Sequence, residues 1–181
     1  MSTAETAPAP AGEVGGRPLH SYTGAANYFE DFSVGQRIRH VRGKTVGEFD
    51  NQIVTNLVMN TAHSHFNEAA MAASPWGTRL VFGLVTGSMV IGLATQDCAE
   101  NALQELRLDG LRFVAPVFHG DTLYAYSEVL ATDDAPGRPD AGLVTFRHYG
   151  TKLPGGGGDE ELVFQGDRTV LLKRASHWSP R

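Results

Sequence analysis

Two imidazoles stand two positions apart in a short polar run, Asn60-Thr61-Ala62-His63-Ser64-His65-Phe66-Asn67. An imidazole titrates near neutrality and can do acid–base work. A neighbouring amide orients water by hydrogen bonds but takes no proton from it. Further along, Gly83 opens the apolar stretch Leu84 to Asp97. A backbone N–H at the start of a helix is a donor for developing negative charge, because the helix dipole adds to it. Glycine there leaves the backbone open to approach. A third group, Pro116-Val117-Phe118-His119-Gly120-Asp121-Thr122-Leu123, reads as a turn entering a strand, with Asp121 as a turn former.

The elements that must position these groups follow from hydrophobic period and turn chemistry. Ile38 to Val46 alternates weakly and is expected to be a strand. Glu48 to Asn60 is expected to be a helix, with Phe49, Ile53, Leu57 and Asn60 on one face. A short helix over Asn67 to Ala73 is expected to stop before Ser74-Pro75, since the residue before proline avoids the α region. Leu84 to Asp97 is apolar nearly all round, the pattern of a helix buried by its surroundings. Strand-like segments then follow, Leu106 to Phe113, Asp121 to Ala131, Gly142 to Tyr149 and Glu161 to Arg174. Thr132 to Asp140 and Lys152 to Asp159 are turn-rich connections; the four glycines Gly155 to Gly158 read as a hairpin tip, lacking the residues of a phosphate loop. The order is α+β, and one antiparallel sheet wrapped around one long buried helix satisfies it.

Length and composition set the outer bounds. The 181 residues suffice for one domain with its own core, expected over residues 27–181, behind an Ala-, Pro- and Gly-rich tail over 1–26 expected to be disordered. A net charge of −5 gives no basic footprint for nucleic acid. No apolar run is long enough to span a bilayer, and the first residues lack the pattern of a signal peptide. The lone Cys98 forbids an internal disulfide and suits a reducing, cytoplasmic setting; it reads as a small apolar filler. His119, His148 and His177 are scattered and give no metal pattern, and no cofactor is expected. Trp76 and Trp178 read as packing residues.

The three polar groups together resemble the MaoC-like hydratases. That family carries an Asp-x-Asn-Pro-x-His motif, a later glycine, and a Pro-x-x-x-Gly-Asp-Thr-Leu turn. Asn60 and His65 stand in register with the motif's Asp and His, Gly83 with the later glycine, and Pro116, Gly120, Asp121, Thr122 and Leu123 with the turn. The resemblance extends from about Phe29 to Arg174. It implies a hot-dog fold, an acyl-CoA substrate, a homodimer or higher homo-oligomer with the CoA site at the junction of two sheets, and hydration of an enoyl thioester. It makes His65, Asn60 and Gly83 the expected catalytic residues and His63, Phe82 and Arg79 the expected substrate contacts. The Met59 to Asn67 run further resembles the subgroup acting on branched dicarboxylic esters such as mesaconyl-CoA.

One departure matters. Asn60 stands where relatives carry a carboxylate, so His65 has to carry more of the proton transfer, with His63 replacing the family's proline. Asn60 could instead be a helix terminator, and Arg79 a surface cation. Two other functions stay open. A hot-dog thioesterase would need a carboxylate on the buried helix, where Leu84 to Gln96 carries none. A non-catalytic subunit that binds acyl chains beside a catalytic chain would tolerate the amide at position 60.

Overall fold

The computed structural model describes residues 27–153 and 157–178. After a 3₁₀ turn at Phe29–Asp31 come two short strands, β1 (Arg37–Arg39) and β2 (Lys44–Thr45). Four helices follow: α1 (Glu48–Leu57), α2 (His63–Phe66), α3 (Glu68–Ala72) and the long α4 (Gly83–Cys98). Then come β3 (Ala102–Phe113), β4 (Thr122–Asp134), β5 (Ala141–Leu153), β6 (Glu161–Lys173) and a last helical turn, α5 (Ala175–Trp178).

The described strands form one antiparallel sheet in the order β1-β4-β5-β6-β3, with β2 also on β4. The expected strand over Ile38 to Val46 is therefore two pieces. Between them, at Gly43, the chain crosses the Tyr124 ring so closely that a Cβ would lie 2.5 Å from it. The helices α1 to α3 sit between β2 and α4 in the chain, and α4 packs on β4, β5 and β6. This is the expected hot-dog arrangement of a sheet wrapped around one helix.

Helix α4 is covered on one side only. Val85, Thr86, Gly87, Val90, Ala94, Asp97 and Cys98 are buried at helical spacing, while Leu84, Ser88 and Gly92 stay exposed. Its C-terminal half packs with Phe32, Ile38, Val129, Val144 and Phe146; its N-terminal half packs with Val46, Val81, Leu123, Val163 and Phe164. Each such fully buried large side chain contributes about 1.5–3 kcal/mol by leaving water. At Gly87 a Cβ would lie 2.9 Å from the Phe164 ring, so the glycine lets helix and sheet approach.

Helix α1 corrects the expectation for its apolar face. Phe49 is 71% and Leu57 76% exposed, whereas Asn51 and Thr55 on the other side are buried. The helix turns its polar side inward, where Asn51 has partners, and leaves its apolar side uncovered within this unit. The expected tail, residues 1–26, lies outside the described residues, as does part of the glycine-rich tip. No described helix is long and apolar enough to cross a membrane.

Candidate active site

Helix α1 ends in a Schellman motif. The N–H of Met59 donates to Asn56 O at 3.2 Å and that of Asn60 to Thr55 O at 2.8 Å, closing carbonyls the helix leaves open. Met59 takes the left-handed conformation this motif requires, at φ 56°. Asn60 thus closes the helix through its backbone and frees its side chain, whose Oδ1 accepts the Ala62 N–H at 3.2 Å. That bond turns the chain directly into α2, which carries His63 and His65.

The His65 ring is half-buried, and its Nδ1 lies 3.0 Å from the Leu80 carbonyl oxygen. A carbonyl can only accept, so Nδ1 carries a proton and Nε2 is the ring atom left for proton exchange. The Leu80 N–H returns a bond to Ser64 O at 2.8 Å, fixing α2 to the segment before α4. The Phe82 ring lies 5.4 Å from the His65 ring, and Phe82 forms the N-cap of α4 without a side-chain cap. Gly83 is the first residue of that helix. His65 and Gly83 line one cavity of about 340 Å³ together with Leu80, Thr86, Phe113 and Trp76. Trp76 is half-exposed there, a cavity wall rather than the expected packing residue. The residues lining this cavity include no carboxylate.

The other expected contacts are placed differently. His63 is exposed; its Nδ1 meets the Asn67 amide at 3.1 Å, and Asn67 in turn caps α3 through Ala70 N at 3.0 Å. Asn60 and His63 are both absent from the cavity lining. Arg79 is neither a surface cation nor free for a substrate carboxylate. Its guanidinium is buried and bonded to Glu48 of α1 and Glu68 of α3, holding the two ends of the α1–α3 segment together. These bonds hold the Glu48 carboxyl below its ordinary range. Burial and the Arg79 charge together push His119 below the usual imidazole value. Asp121 accepts the Phe118 N–H at 2.9 Å, as a turn former should.

The sequence reading missed Asn51. It is fully buried on α1, its amide donating to His65 O at 3.1 Å and its Oδ1 accepting the Phe82 N–H at 2.9 Å. The only local signal was a polar residue whose burial the outward-facing α1 stripe conceals.

A second polar cluster lies in the core, where scattered histidines were expected. His40 bridges Asp97 Oδ2 at 2.6 Å and Ser127 Oγ at 2.7 Å, and Ser127 Oγ lies 2.7 Å from His148 Nδ1. The ligand atoms of His40, Cys98 and His148 come within 4.8 Å of one another. Ser127 Oγ is bonded to both rings and to the Cys98 thiol, so a hydroxyl already serves these groups. Burial pushes that thiol up to about 12, leaving it protonated. Burying polar groups costs least where they are hydrogen-bonded, and in this cluster only Asp97 Oδ1 and His148 Nε2 have no partner among the described residues.

Comparison with known proteins places the whole chain. Residues 15–174 match the family described as Mesaconyl-CoA hydratase. The chain is 35% identical over 164 residues to the beta-methylmalyl-CoA dehydratase of Chloroflexus aurantiacus, covering 85% of this chain and 46% of the relative. A crystal structure of a MaoC domain protein dehydratase from the same organism superposes with a TM-score of 0.76 at 35% identity, over 83% of this chain and 46% of the other. A Mycobacterium tuberculosis protein described as a double hot-dog fold superposes with a TM-score of 0.67 at 25% identity, over 85% and 46% of the two chains. The chain spans about half the length of these relatives. With the family match covering nearly all described residues and the superposition extending over most of the chain, the chain has a MaoC-like hot-dog fold and belongs to the mesaconyl-CoA hydratase family.

Proposed function

We propose that this chain is a hydro-lyase that adds water reversibly across the double bond of a small enoyl-CoA thioester, mesaconyl-CoA being the preferred candidate. The observation that carries the reading is the cavity shared by His65, with Nδ1 committed to Leu80, and Gly83 at the start of α4. In hydration, water oxygen bonds to the β-carbon as His65 Nε2 takes its proton, and the double-bond electrons move to the thioester oxygen. The Gly83 N–H, aided by the α4 dipole, stabilises that oxyanion. The enolate then collapses as the α-carbon takes a proton, which the His65 imidazolium can return. One water is consumed, and no cofactor is needed.

The family description and the names of the relatives support the substrate class. The absence of a carboxylate among the cavity-lining residues argues against the thioesterase alternative. The same absence supports a second reading, in which a catalytic partner chain completes the site. A homodimer or larger assembly is part of the proposal. β3 is a long edge strand, the apolar side of α1 is uncovered, and the relatives are about twice as long. A cytoplasmic location fits the lone, buried Cys98. The test is loss of the conjugated absorbance of crotonyl-, mesaconyl- and longer enoyl-CoA esters with the purified chain, alone and with a candidate partner. Turnover only with the partner would favour the second reading, and thioester cleavage would replace both.

A further inference from the structure

Asn51 sits where three elements meet. It belongs to α1, yet its two hydrogen bonds run to α2, at the His65 carbonyl, and to the N-cap of α4, at the Phe82 N–H. Each bond satisfies a backbone group that a helix end leaves open. The two bonded residues are His65 itself and the immediate neighbour of Gly83. The side chain has 0% exposure, so no water competes for either bond.

We propose that Asn51 is a positioning residue for the reaction, setting the separation between the imidazole of His65 and the first amide of α4. This rests on the hydratase reading of that cavity. An uncharged carboxamide is suited to the task, having a donor and an acceptor side by side at the end of a short stem. Asp in its ionised form has two acceptors and would face the His65 carbonyl with like charge. Ala would leave both backbone groups unmet. The hydrogen bonds that join α2 to the segment before α4, Leu80 N–H to Ser64 O and His65 Nδ1 to Leu80 O, both pass through Leu80, while Arg79 ties that segment to Glu48 and Glu68 and the His65 ring packs 5.4 Å from that of Phe82. Asn51 is the strut that reaches past Leu80 to the helix start. Base and oxyanion donor act together only while both meet the same thioester, and a displacement near 1 Å at such a site costs roughly 10²-fold.

The experiment compares wild type, Asn51→Ala and Asn51→Asp by kinetics on mesaconyl-CoA and crotonyl-CoA, and by ¹⁵N NMR of the histidine rings. Near-UV circular dichroism gives the folded fraction. The expected result is a kcat lower by roughly 10- to 100-fold in folded variants, with KM within about threefold because the rest of the ligand contacts persist. The His65 ring should change from one tautomer, protonated at Nδ1, to a mixture in Asn51→Ala. The ratio of Asn51→Asp to wild-type kcat should rise as pH falls, since a protonated carboxyl restores the donor. The proposal is overturned by kcat within twofold of wild type, by a loss that only tracks the folded fraction, or by an unchanged His65 tautomer. A wild-type chain that turns over no enoyl-CoA ester, alone or with a partner chain, with the tautomer still mixed in Asn51→Ala, would end the hydratase reading and leave the positioning role standing.

Discussion

A Cβ placed on Gly83 would lie 3.0 Å from the ring of Phe113, which is half-exposed at the wall of the same cavity. Gly83→Ala therefore meets a ring that can give way, and its stability should change by less than about 1 kcal/mol. Its turnover should fall by about tenfold or more, because a methyl group stands where the thioester has to approach the helix start. Kinetics on Gly83→Ala and on the double variant with Phe113→Ala separate the causes. Recovery in the double variant would mean that displaced packing, not obstruction, lowers the rate.

His65→Gln and His65→Ala should each lose about 10²–10⁴ in turnover, the usual range for a general acid–base group. The ring is half-buried and makes one side-chain bond to Leu80, so urea midpoints should stay close to wild type. Near-normal rates in either variant would remove His65 from the chemistry.

Asn60→Asp should keep both stability and activity. The Asn60 oxygen accepts the Ala62 N–H at 3.2 Å, and a carboxylate accepts it equally well. If position 60 meets the reacting water, the restored acceptor should raise the rate on crotonyl-CoA while repelling the second carboxylate of mesaconyl-CoA. Equal loss on both esters would show that the amide itself orients water, and no change on either would take Asn60 out of the mechanism.

Met59→Gly should stabilise the fold by about 0.5–1 kcal/mol. A left-handed backbone costs an ordinary L-residue about 1–2 kcal/mol, offset in part by the extra freedom glycine gives the unfolded chain. The Met59 side chain is 84% exposed at φ 56°, so little packing is lost. A lower midpoint in thermal or urea unfolding would show that Met59 makes contacts in the assembly.

Stability should fall in acid because of His148. Burial first, then the charge of Arg168 and the His40 ring, hold it well below its ordinary 6.5. The unfolded chain therefore binds a proton below about pH 6.5 that the folded chain refuses. Its contribution is complete above that pH and is lost as pH drops toward the depressed folded value. The slope approaches about 1.4 kcal/mol per pH unit. Urea titrations from pH 8 to pH 5 should show this slope, and His148→Gln should flatten it.

Much of the fold was legible because strands and α4 bury apolar residues within the unit. The alternation in β4 to β6 and the continuous apolar run of α4 report that directly. Helix α1 misled for the same reason. Its stripe of Phe49, Ile53 and Leu57 shows that something apolar must be covered, without saying by which chain. The layout of the candidate site was partly legible. His65 and Gly83 share a cavity, as their register implied, but His63, Asn60 and Arg79 are turned to other partners. Asn51 and the His40–Ser127–His148 chain were illegible, because their partners lie 14 to 87 positions away and follow no local period.

The Phe164 ring bears on the evolutionary history this core permits. A Cβ on Gly87 would come within 2.9 Å of it, and one on Gly166 within 2.9 Å of it and 2.7 Å of the Leu111 side chain. Helix α4 and strand β6 have thus given up two side chains around a single aromatic one. No one of these positions can enlarge while the ring remains, and losing the ring alone opens a cavity costing about 3–5 kcal/mol. Drift here must proceed by coupled exchange, a smaller residue at 164 arriving with a larger one at 87, and at 166 only with a smaller residue at 111 as well. Repacking this side of the core should therefore start from combinatorial libraries of positions 87, 111, 164 and 166, since single-site scans would find every path blocked.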